Sequence, residues 1–288
     1  MTKALPENQP MTIYCENEYD ALQEVILVPP TNMKIEEVIN ETQEHYLKDN
    51  INRDKALQQH HDFKLFLESE GTHVSELPTK EELNEQVYTR DIGFVIEDTL
   101  FISLMKEEVR HPETAVLRDW LQQNNLQYNA TISSAIEGGD VLVDGKTIWI
   151  GNSHRTSRKA IQQLQQVLPN HYIRSVKLRE DILHLDCVLT IIGEHTALVY
   201  PAGIDKAAYQ YLKTWYTVIE VTEEEQFAMG PNVLTIGNNT IVSLPENRAL
   251  NRKMEQAGFK VAEIAFSEII KSGGSFRCCT LPLKRMEG

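Results

Sequence analysis

The chain has 288 residues, 41% of them hydrophobic and 24% charged, and its formal net charge at pH 7 is −14. This acidic balance argues against broad binding to nucleic acid, which needs a basic face, and it is compatible with a small cationic substrate. No apolar run reaches the roughly 18–20 residues of a membrane span and the N-terminus is polar, so we expect a cytoplasmic protein without membrane contact.

The predicted elements follow one repeating order after a lead-in over residues 1–20. Residues 24–30 form an apolar run closed by two prolines, which predicts a buried strand. Residues 35–67 have a polar helical pattern, and residues 72–77 are a candidate short strand. Hairpins then begin near residues 93, 141, 188 and 233. Each is followed by a predicted helix (112–124, 156–168, 205–214, 248–257) and a predicted strand (127–132, 172–178, 216–221, 259–265).

The hairpin starts recur with a period of roughly 45–48 residues, which is typical of an array of one supersecondary unit. Together with the irregular N-terminal unit, they predict five ββαβ modules in a single domain over residues 21–288. A linear solenoid would need capping repeats and more copies, so five mixed α/β units favour a closed ring. In such a ring the strands line a central cavity and the helices lie outside.

Charged side chains cluster where one module ends and the next hairpin begins. If rotation relates the modules, these junctions face the same axis and their side chains share one pocket. The junction residues are Asp91 before the first hairpin, Glu137 and Asp140 before the second, His184 and Asp186 before the third, and Cys278 near the C-terminus. On a strand, His184 and Asp186 would point to the same side, because side chains at i and i+2 share a face.

The C-terminal junction combines two glycines, Arg277 and the adjacent thiols of Cys278 and Cys279. A thiol after a glycine turn and beside an arginine is expected to be exposed and electropositive, which lowers its pKa and makes a nucleophile. A histidine nearby would manage its protons. The alternative is a core cysteine pair in a terminal strand, since free cysteine is often buried.

The four cysteines are too few and too irregularly spaced for a disulfide scaffold, and we expect free thiols. A zinc site built from His184, Cys187 and the two C-terminal cysteines is a weak alternative, because no CxxC pair is present. We therefore predict no metal and no organic cofactor.

Five segments jointly resemble the guanidine-modifying enzymes of the pentein superfamily, and the resemblance covers nearly the whole chain from about residue 24. This superfamily includes dimethylarginine dimethylaminohydrolases, arginine deiminases, agmatine deiminases and amidinotransferases. The resemblance implies a five-bladed α/β propeller, in agreement with the repeat. The segments are Thr89-Arg90-Asp91, Glu137-Gly138-Gly139-Asp140, residues 151–156 (GNSHRT), His184-Leu185-Asp186 and Gly273-Gly274-Ser275-Phe276-Arg277-Cys278.

The resemblance implies a role for each matching residue. Cys278 would be the nucleophile, His184 the general acid and base, and Glu137 a partner in proton handling. Asp91 and Asp186 would clamp the guanidinium nitrogens of the substrate, and Glu137 would also hold the guanidinium. Asp140 would be a further substrate-binding residue. Arg155 would grip the α-carboxylate of an amino-acid substrate, with Arg110 as a looser second candidate.

The activity implied is cysteine-dependent hydrolysis of arginine or a methylated arginine through a covalent thiouronium, giving citrulline and an amine or ammonia. Ser272 stands where the arginine deiminases carry an arginine, and the chain lacks an inserted helical domain, which favours the dimethylarginine hydrolase branch. Amidino transfer, hydrolysis of a ureido group and a non-catalytic binding role remain alternatives. A homodimer is a reasonable default for such rings, although no stretch demonstrates an interface.

Overall fold

The structure is a computed structural model that describes residues 11–287. Its mixed α/β class agrees with the prediction. Fourteen strands lie in the described residues: β1 (Ala21–Leu27), β2 (His73–Glu76), β3 (Gly93–Ile96), β4 (Thr99–Ile102), β5 (Val141–Asp144), β6 (Thr147–Asn152), β7 (Tyr172–Lys177), β8 (Leu189–Gly193), β9 (Thr196–Val199), β10 (Thr217–Glu220), β11 (Leu234–Gly237), β12 (Thr240–Ser243), β13 (Lys260–Glu263) and β14 (Leu281–Met286).

Seven α-helices separate these strands within residues 11–287. They are α1 (Glu41–Tyr46), α2 (Arg53–Ser69), α3 (His111–Gln123), α4 (Arg158–Val167), α5 (Lys206–Trp215), α6 (Glu223–Phe227) and α7 (Arg248–Gln256). Five begin with a side-chain cap, as in α4, where the Ser157 hydroxyl accepts from the Ala160 backbone N–H. The short α6 was not predicted, although Thr222 and Glu225 form a capping box at its start.

The strands of the described chain form five small sheets with a common connectivity. Each predicted hairpin is antiparallel, as in β5/β6, and the strand after the following helix pairs parallel to the second hairpin strand, as in β6/β7. The module that begins at β3 departs from this order. Its predicted third strand is reduced to one bridge between Phe101 and Asn129, because the Asn129 side chain accepts from the Thr131 backbone N–H and turns the chain away.

The N-terminal module is regular once its partner from the far end of the chain is included. The C-terminal strand β14 pairs antiparallel with β1, and β2 pairs parallel with β1. This sheet therefore repeats the order of the others, with its first strand supplied by residues 281–286. The pairing joins the two ends of the domain and places the C-terminal junction beside the junctions of the other modules.

The first strands of the hairpins lie in the interior, and all four residues of β3 and of β11 are buried. Because both faces of these strands are covered, they are continuous apolar runs rather than alternating ones. No helix among residues 11–287 has the length and apolar character that a membrane crossing needs.

The structure describes only the second half of the predicted N-terminal lead-in (residues 1–20), from residue 11 onward. Residues 1–10 lie outside the described residues, whereas Cys15 and Asn17 form bridges with Glu97 and Asp144. Glu18 is buried and contacts Arg277 of the C-terminal junction. The second half of this segment is therefore packed into the sheet array.

Candidate active site

The candidate site is built from the turns that precede the first strands of the modules. Asp91 lies just before β3, and Glu137 and Asp140 flank a short 3-10 turn before β5. His184 and Asp186 lie at the corresponding turn before β8, and Cys278 lies in the turn before β14. Every one of these six residues is at most 2% exposed.

Two glycines at the turn before β5 are required by close packing. A Cβ on Gly138 would lie 2.1 Å from the Arg90 carbonyl oxygen, which is backbone and cannot rotate away. A Cβ on Gly139 would lie 2.8 Å from both Asp91 Oδ1 and His184 Nδ1. The glycine pair therefore lets three junctions approach each other at the site.

His184 lies between two carboxylates. Its Nε2 is 2.7 Å from Glu137 Oε2, and its Nδ1 is 3.6 Å from Asp91 Oδ1. Burial alone would lower the pKa of His184, but the charge of Asp91 and the hydrogen bond to Glu137 raise it to about 9. Burial likewise opposes ionisation of Glu137, and the hydrogen bond to His184 outweighs it and lowers the pKa of Glu137 to about 2. The pair is therefore an imidazolium and a carboxylate at neutral pH.

Two polar atoms of this group have no hydrogen-bond partner in the described part of the chain. They are Asp91 Oδ1 and His184 Nδ1, and both are buried. Buried polar atoms are nearly always paired, so this geometry leaves an acceptor and a donor 3.6 Å apart that a bound ligand could satisfy. The three donor atoms of Asp91, Glu137 and His184 also lie within 4.8 Å of one another, a spacing that can hold a metal ion.

Cys278 is buried, and the prediction of an exposed, electropositive thiol is wrong. The side chain is 2% exposed, and its Sγ donates to Asp186 Oδ2 at 3.4 Å. Burial, followed by the charges of Asp186 and Asp91, raises the pKa of Cys278 well above its usual value. The thiol is therefore neutral at physiological pH in the protein alone.

Arg277 does not act on this thiol in the way the sequence suggested. Its Nη1 donates to Asp186 Oδ2 at 2.8 Å, and its Nη2 donates to Glu18 Oε1 at 3.1 Å and to the Val141 carbonyl at 2.8 Å. The guanidinium therefore holds two buried carboxylates. Asp186 in turn contacts a second thiol, because the Cys187 Sγ lies 3.7 Å from its Oδ1.

His184 and Asp186 are not neighbours on one face of a strand. Residues 185–187 form a 3-10 turn, with His184 in extended backbone just before it. His184 consequently points to Glu137 and Asp91, whereas Asp186 points to Cys278 and Arg277. The site has a histidine side and a cysteine side, linked by backbone bonds such as that from the Arg90 N–H to the Cys278 carbonyl at 3.0 Å.

Asp140 is occupied by contacts within the protein. Its Oδ1 accepts from the Leu185 N–H at 2.9 Å, and its Oδ2 accepts from the Ser153 hydroxyl at 2.6 Å. Burial raises the pKa of Asp140 to about 6. These bonds hold the turn that carries His184 and the loop that carries Arg155.

The two arginines named from sequence have different surroundings. Arg110 donates through Nη1 to Asp91 Oδ2 at 2.7 Å, and through Nε and Nη2 to Glu113 at 3.1 and 2.9 Å. Arg155 makes looser contacts, with its Nη1 3.5 Å from Glu137 Oε2 and its Nη2 3.1 Å from the Ile39 carbonyl. Arg110 is thus tied within the protein more firmly than Arg155.

Asn232 is a site residue that the sequence reading missed. It lies before β11 in the fourth hairpin module, at the position where the other modules carry charged side chains, and it is fully buried. Its Nδ2 donates to Cys278 Sγ at 3.0 Å. The repeat spacing was the available signal, because residue 232 precedes the hairpin predicted near 233.

The second thiol of the pair, Cys279, faces the core. It is fully buried within an apolar cluster that includes Phe63, Phe266 and Phe276. Burial, with the charges of Asp91 and Asp186, also raises its pKa well above the usual value. The two adjacent thiols therefore differ in contacts. Among the contacts described, the Cys278 sulfur accepts from Asn232 Nδ2 and donates to Asp186 Oδ2, and no such bonds are described for Cys279.

Comparisons with known proteins identify the family and the fold of the chain. The family model described as N,N dimethylarginine dimethylhydrolase, eukaryotic, matches residues 29–285. The uncharacterized protein YkgA of Bacillus subtilis (strain 168) is 47% identical over 287 residues and covers 100% of both chains. The N(G),N(G)-dimethylarginine dimethylaminohydrolase of Mycobacterium tuberculosis is 26% identical over 204 residues, which is 70% of this chain and 67% of that protein.

Solved structures share the fold. The N-terminal domain of ArgZ, an arginine dihydrolase from cyanobacteria, matches with a TM-score of 0.83 at 22% identity and covers 91% of this chain and 98% of that chain. The resemblance to the pentein superfamily noted from the motifs is thus confirmed. The family model spans most of the chain, and the chain belongs to the N,N dimethylarginine dimethylhydrolase family.

Proposed function

We propose that the protein is a cysteine-dependent hydrolase of the guanidinium group of arginine or a methylated arginine. The observation that carries the proposal is the pair of unpartnered buried atoms within residues 11–287, Asp91 Oδ1 and His184 Nδ1, 3.6 Å apart. A guanidinium N–H would satisfy the carboxylate oxygen, and the leaving nitrogen would accept the proton on Nδ1. Family membership supports the same substrate class.

The first step forms a bond between Cys278 Sγ and the guanidinium carbon. A bound guanidinium offsets the charges of Asp186 and Asp91, which raise the pKa of the thiol in the protein alone. The thiol proton passes to solvent as the cation binds, and the thiolate then attacks the central carbon and gives a tetrahedral adduct. His184, held as an imidazolium by Glu137, donates its Nδ1 proton to the departing amine, which leaves as ammonia or a methylamine.

The second step hydrolyses the thiouronium that remains on Cys278. His184 is now neutral, so its Nδ1 accepts a proton from water as the water oxygen attacks the same carbon. The C–S bond breaks, the sulfur leaves as the thiolate, the remaining hydroxyl proton of the adduct passes to the released amine or to solvent, and citrulline is released. The net reaction consumes one water and yields one amine. Glu137 stays ionised throughout, since its pKa of about 2 lies far below neutral pH.

The carboxylates of the site would bind the cation, and Arg155 would bind the α-carboxylate. Asp91 can accept from the substrate through Oδ1 because Arg110 occupies its Oδ2. Asp140 keeps its two oxygens on Leu185 and Ser153, so its part in binding is to hold these turns. Arg155 is the stronger of the two carboxylate candidates, because Glu113 and Asp91 use the donors of Arg110.

The proposal includes the arrangement of the five sheets as blades of an α/β propeller around the site. It is supported by the shared strand order of the sheets and by the closing pair of β1 and β14. A propeller arrangement would also explain why turns from distant parts of the sequence meet at the site.

Turnover by matched cysteine variants tests the function. The purified protein would be incubated with arginine, monomethylarginine, dimethylarginines and agmatine, and ureido products and released amines would be quantified. Cys278→Ser should abolish product formation, whereas Cys279→Ser should retain it. Loss of activity only in Cys279→Ser would show that Cys279, not Cys278, is the nucleophile. The absence of a ureido product with all of these compounds would reject the proposed reaction.

A further inference from the structure

We propose that Asn232 stabilises the thiolate of Cys278 by donating a hydrogen bond from Nδ2 to its sulfur. The donor lies 3.0 Å from Sγ, so it touches the atom that forms the covalent bond in the proposed reaction. The importance of this contact for turnover rests on the proposed function. The contact itself, and its effect on the thiol, can be measured without any substrate.

Asn232 also shapes the turn that presents the sulfur. Its Oδ1 accepts from the backbone N–H of Ser275 at 3.0 Å and from that of Cys278 at 3.1 Å. Its backbone carbonyl accepts from the Arg277 N–H at 3.3 Å. One fully buried side chain therefore holds both ends of the turn and reaches the sulfur within it.

The second Nδ2 proton is also used. Nδ2 also donates to the backbone carbonyl oxygen of Asp186, 3.3 Å away, on the turn that precedes β8. The amide of Asn232 thus has all four of its hydrogen-bond positions occupied, two as acceptor and two as donor. This bonding fixes the amide orientation, with the nitrogen toward the sulfur and the oxygen toward the two backbone N–H groups.

The orientation matters because the other group on the sulfur is anionic. Asp186 Oδ2, 3.4 Å from Sγ, accepts from the neutral thiol and would repel a thiolate. Arg277 already donates to that same oxygen and reduces the repulsion. Asn232 is then the contact that favours the ionised sulfur directly, since a hydrogen bond to a charged group is among the stronger ones in proteins.

A variant that changes the donor separates this role from that of a turn brace. Asn232→Asp keeps an oxygen for the Ser275 and Cys278 N–H groups and replaces the amide nitrogen near the sulfur by oxygen. Asn251→Asp is the matched control, because Asn251 is also buried and its Nδ2 donates to the Leu244 carbonyl and to Glu263. Asn251 lies on α7, and the contacts of its side chain are with Ser243, Leu244 and Glu263 rather than with the nucleophile turn.

The measurement is the pH dependence of Cys278 alkylation by iodoacetamide, read from the mass of its peptide. We expect Asn232→Asp to raise the pH midpoint by at least one unit, which corresponds to a tenfold loss of thiolate below the midpoint. Asn251→Asp should leave the midpoint unchanged. A midpoint in Asn232→Asp equal to that of the wild type would overturn the proposal, even if the rate changed at every pH, because only the ionisation of the sulfur sets the midpoint.

A measurement on the wild type covers the case in which Asn232→Asp does not fold. The side-chain amide resonances of Asn232, assigned by NMR, should move with the ionisation of Cys278 and should not move over the same pH range in Cys278→Ala. Amide resonances that do not respond in the wild type would overturn the proposal. Neither measurement needs turnover, so an inactive protein with the expected midpoint shift would reject the proposed function and retain the role of Asn232.

Discussion

The catalytic efficiency of guanidine hydrolysis should rise with pH through the neutral range. In the protein alone, burial and the charges of Asp186 and Asp91 raise the pKa of Cys278 well above its ordinary value. Burial alone would lower the pKa of His184, but its carboxylate neighbours raise it to about 9. The dominant neutral-pH state is therefore a thiol beside an imidazolium, and attack requires the loss of one proton.

The size of the effect follows from this proton count. Because the reactive state holds one proton fewer than the dominant state, kcat/KM should increase about tenfold per pH unit below the pKa of His184. With a pKa of about 9, His184 is only about 3% neutral at pH 7.5, whereas an ordinary histidine would be about 90% neutral. The general acid is therefore not lost while the thiolate fraction grows.

The assay is the initial rate of ureido product formation at limiting substrate, measured from pH 5.5 to pH 9.5 in buffers of constant ionic strength. Between pH 7.5 and pH 8.5, kcat/KM should rise close to tenfold, whereas kcat should rise less because the bound cation favours the thiolate. A flat kcat/KM over this interval would show that the thiol is already ionised. A fall with a midpoint near pH 6.5 would show that His184 has an ordinary pKa.

Three further predictions concern stability and packing. Arg277→Met removes the close cationic partner of buried Asp186 and Glu18, of which Glu18 keeps a 3.9 Å contact with Arg90. It should lower the free energy of unfolding by about 3–5 kcal/mol in urea titrations, whereas Arg53→Met at an exposed position should change it by about 0.5 kcal/mol or less. Similar small losses in both variants would contradict the buried network. The Cβ of Gly139→Ala would lie 2.8 Å from the side chains of Asp91 and His184, so this variant should reduce kcat/KM at least tenfold. Gly145→Asn, in an open turn, should not reduce kcat/KM. Equal kcat/KM values for the two variants would refute the close approach at Gly139. The stabilisation from protonated His184 is fully present below pH 6.5 and is lost as the pH rises through about 9. The difference in the free energy of unfolding between the wild type and His184→Gln should therefore shrink as the pH rises from 6.5 to 9. A difference that stays constant over this range would contradict the raised pKa of His184.

Local sequence patterns were sufficient to predict most of the repeating helices and strands. The predicted helix over 156–168 corresponds to α4 at Arg158–Val167, and the hairpin near 141 to β5 and β6, because the turn and cap residues act over a few positions. The pairing of β1 with β14 was not predicted, because it joins residues more than 250 positions apart and has no local signal. This distant pairing is what makes the first module regular.

The candidate site was also predicted in part from the sequence. The junctions at repeat spacing identified Asp91, Glu137 and His184, which the structure brings into contact. The state of Cys278 was mispredicted because sequence proximity to Arg277 says nothing about where that side chain points. The guanidinium turns to Asp186 and Glu18, and the surrounding modules bury the sulfur.

Asn232 was not predicted from the sequence. The other junctions carry charged or nucleophilic side chains, and an uncharged amide before β11 does not stand out beside them. Its role depends on four hydrogen bonds to residues from two other turns, which only the folded chain assembles. Applying the repeat period to every junction, whatever its residue type, would have found it.

The most direct test of the central claim is the mass of the protein during turnover. Wild-type protein would be mixed with each guanidino compound, quenched in acid within the first turnovers, digested and searched for an added group on the Cys278 peptide. We expect a thiouronium adduct on Cys278, its absence in Cys278→Ser, and a ureido product that forms as the adduct decays. Product formation without an adduct on Cys278, or an adduct carried by Cys279, would contradict this expectation.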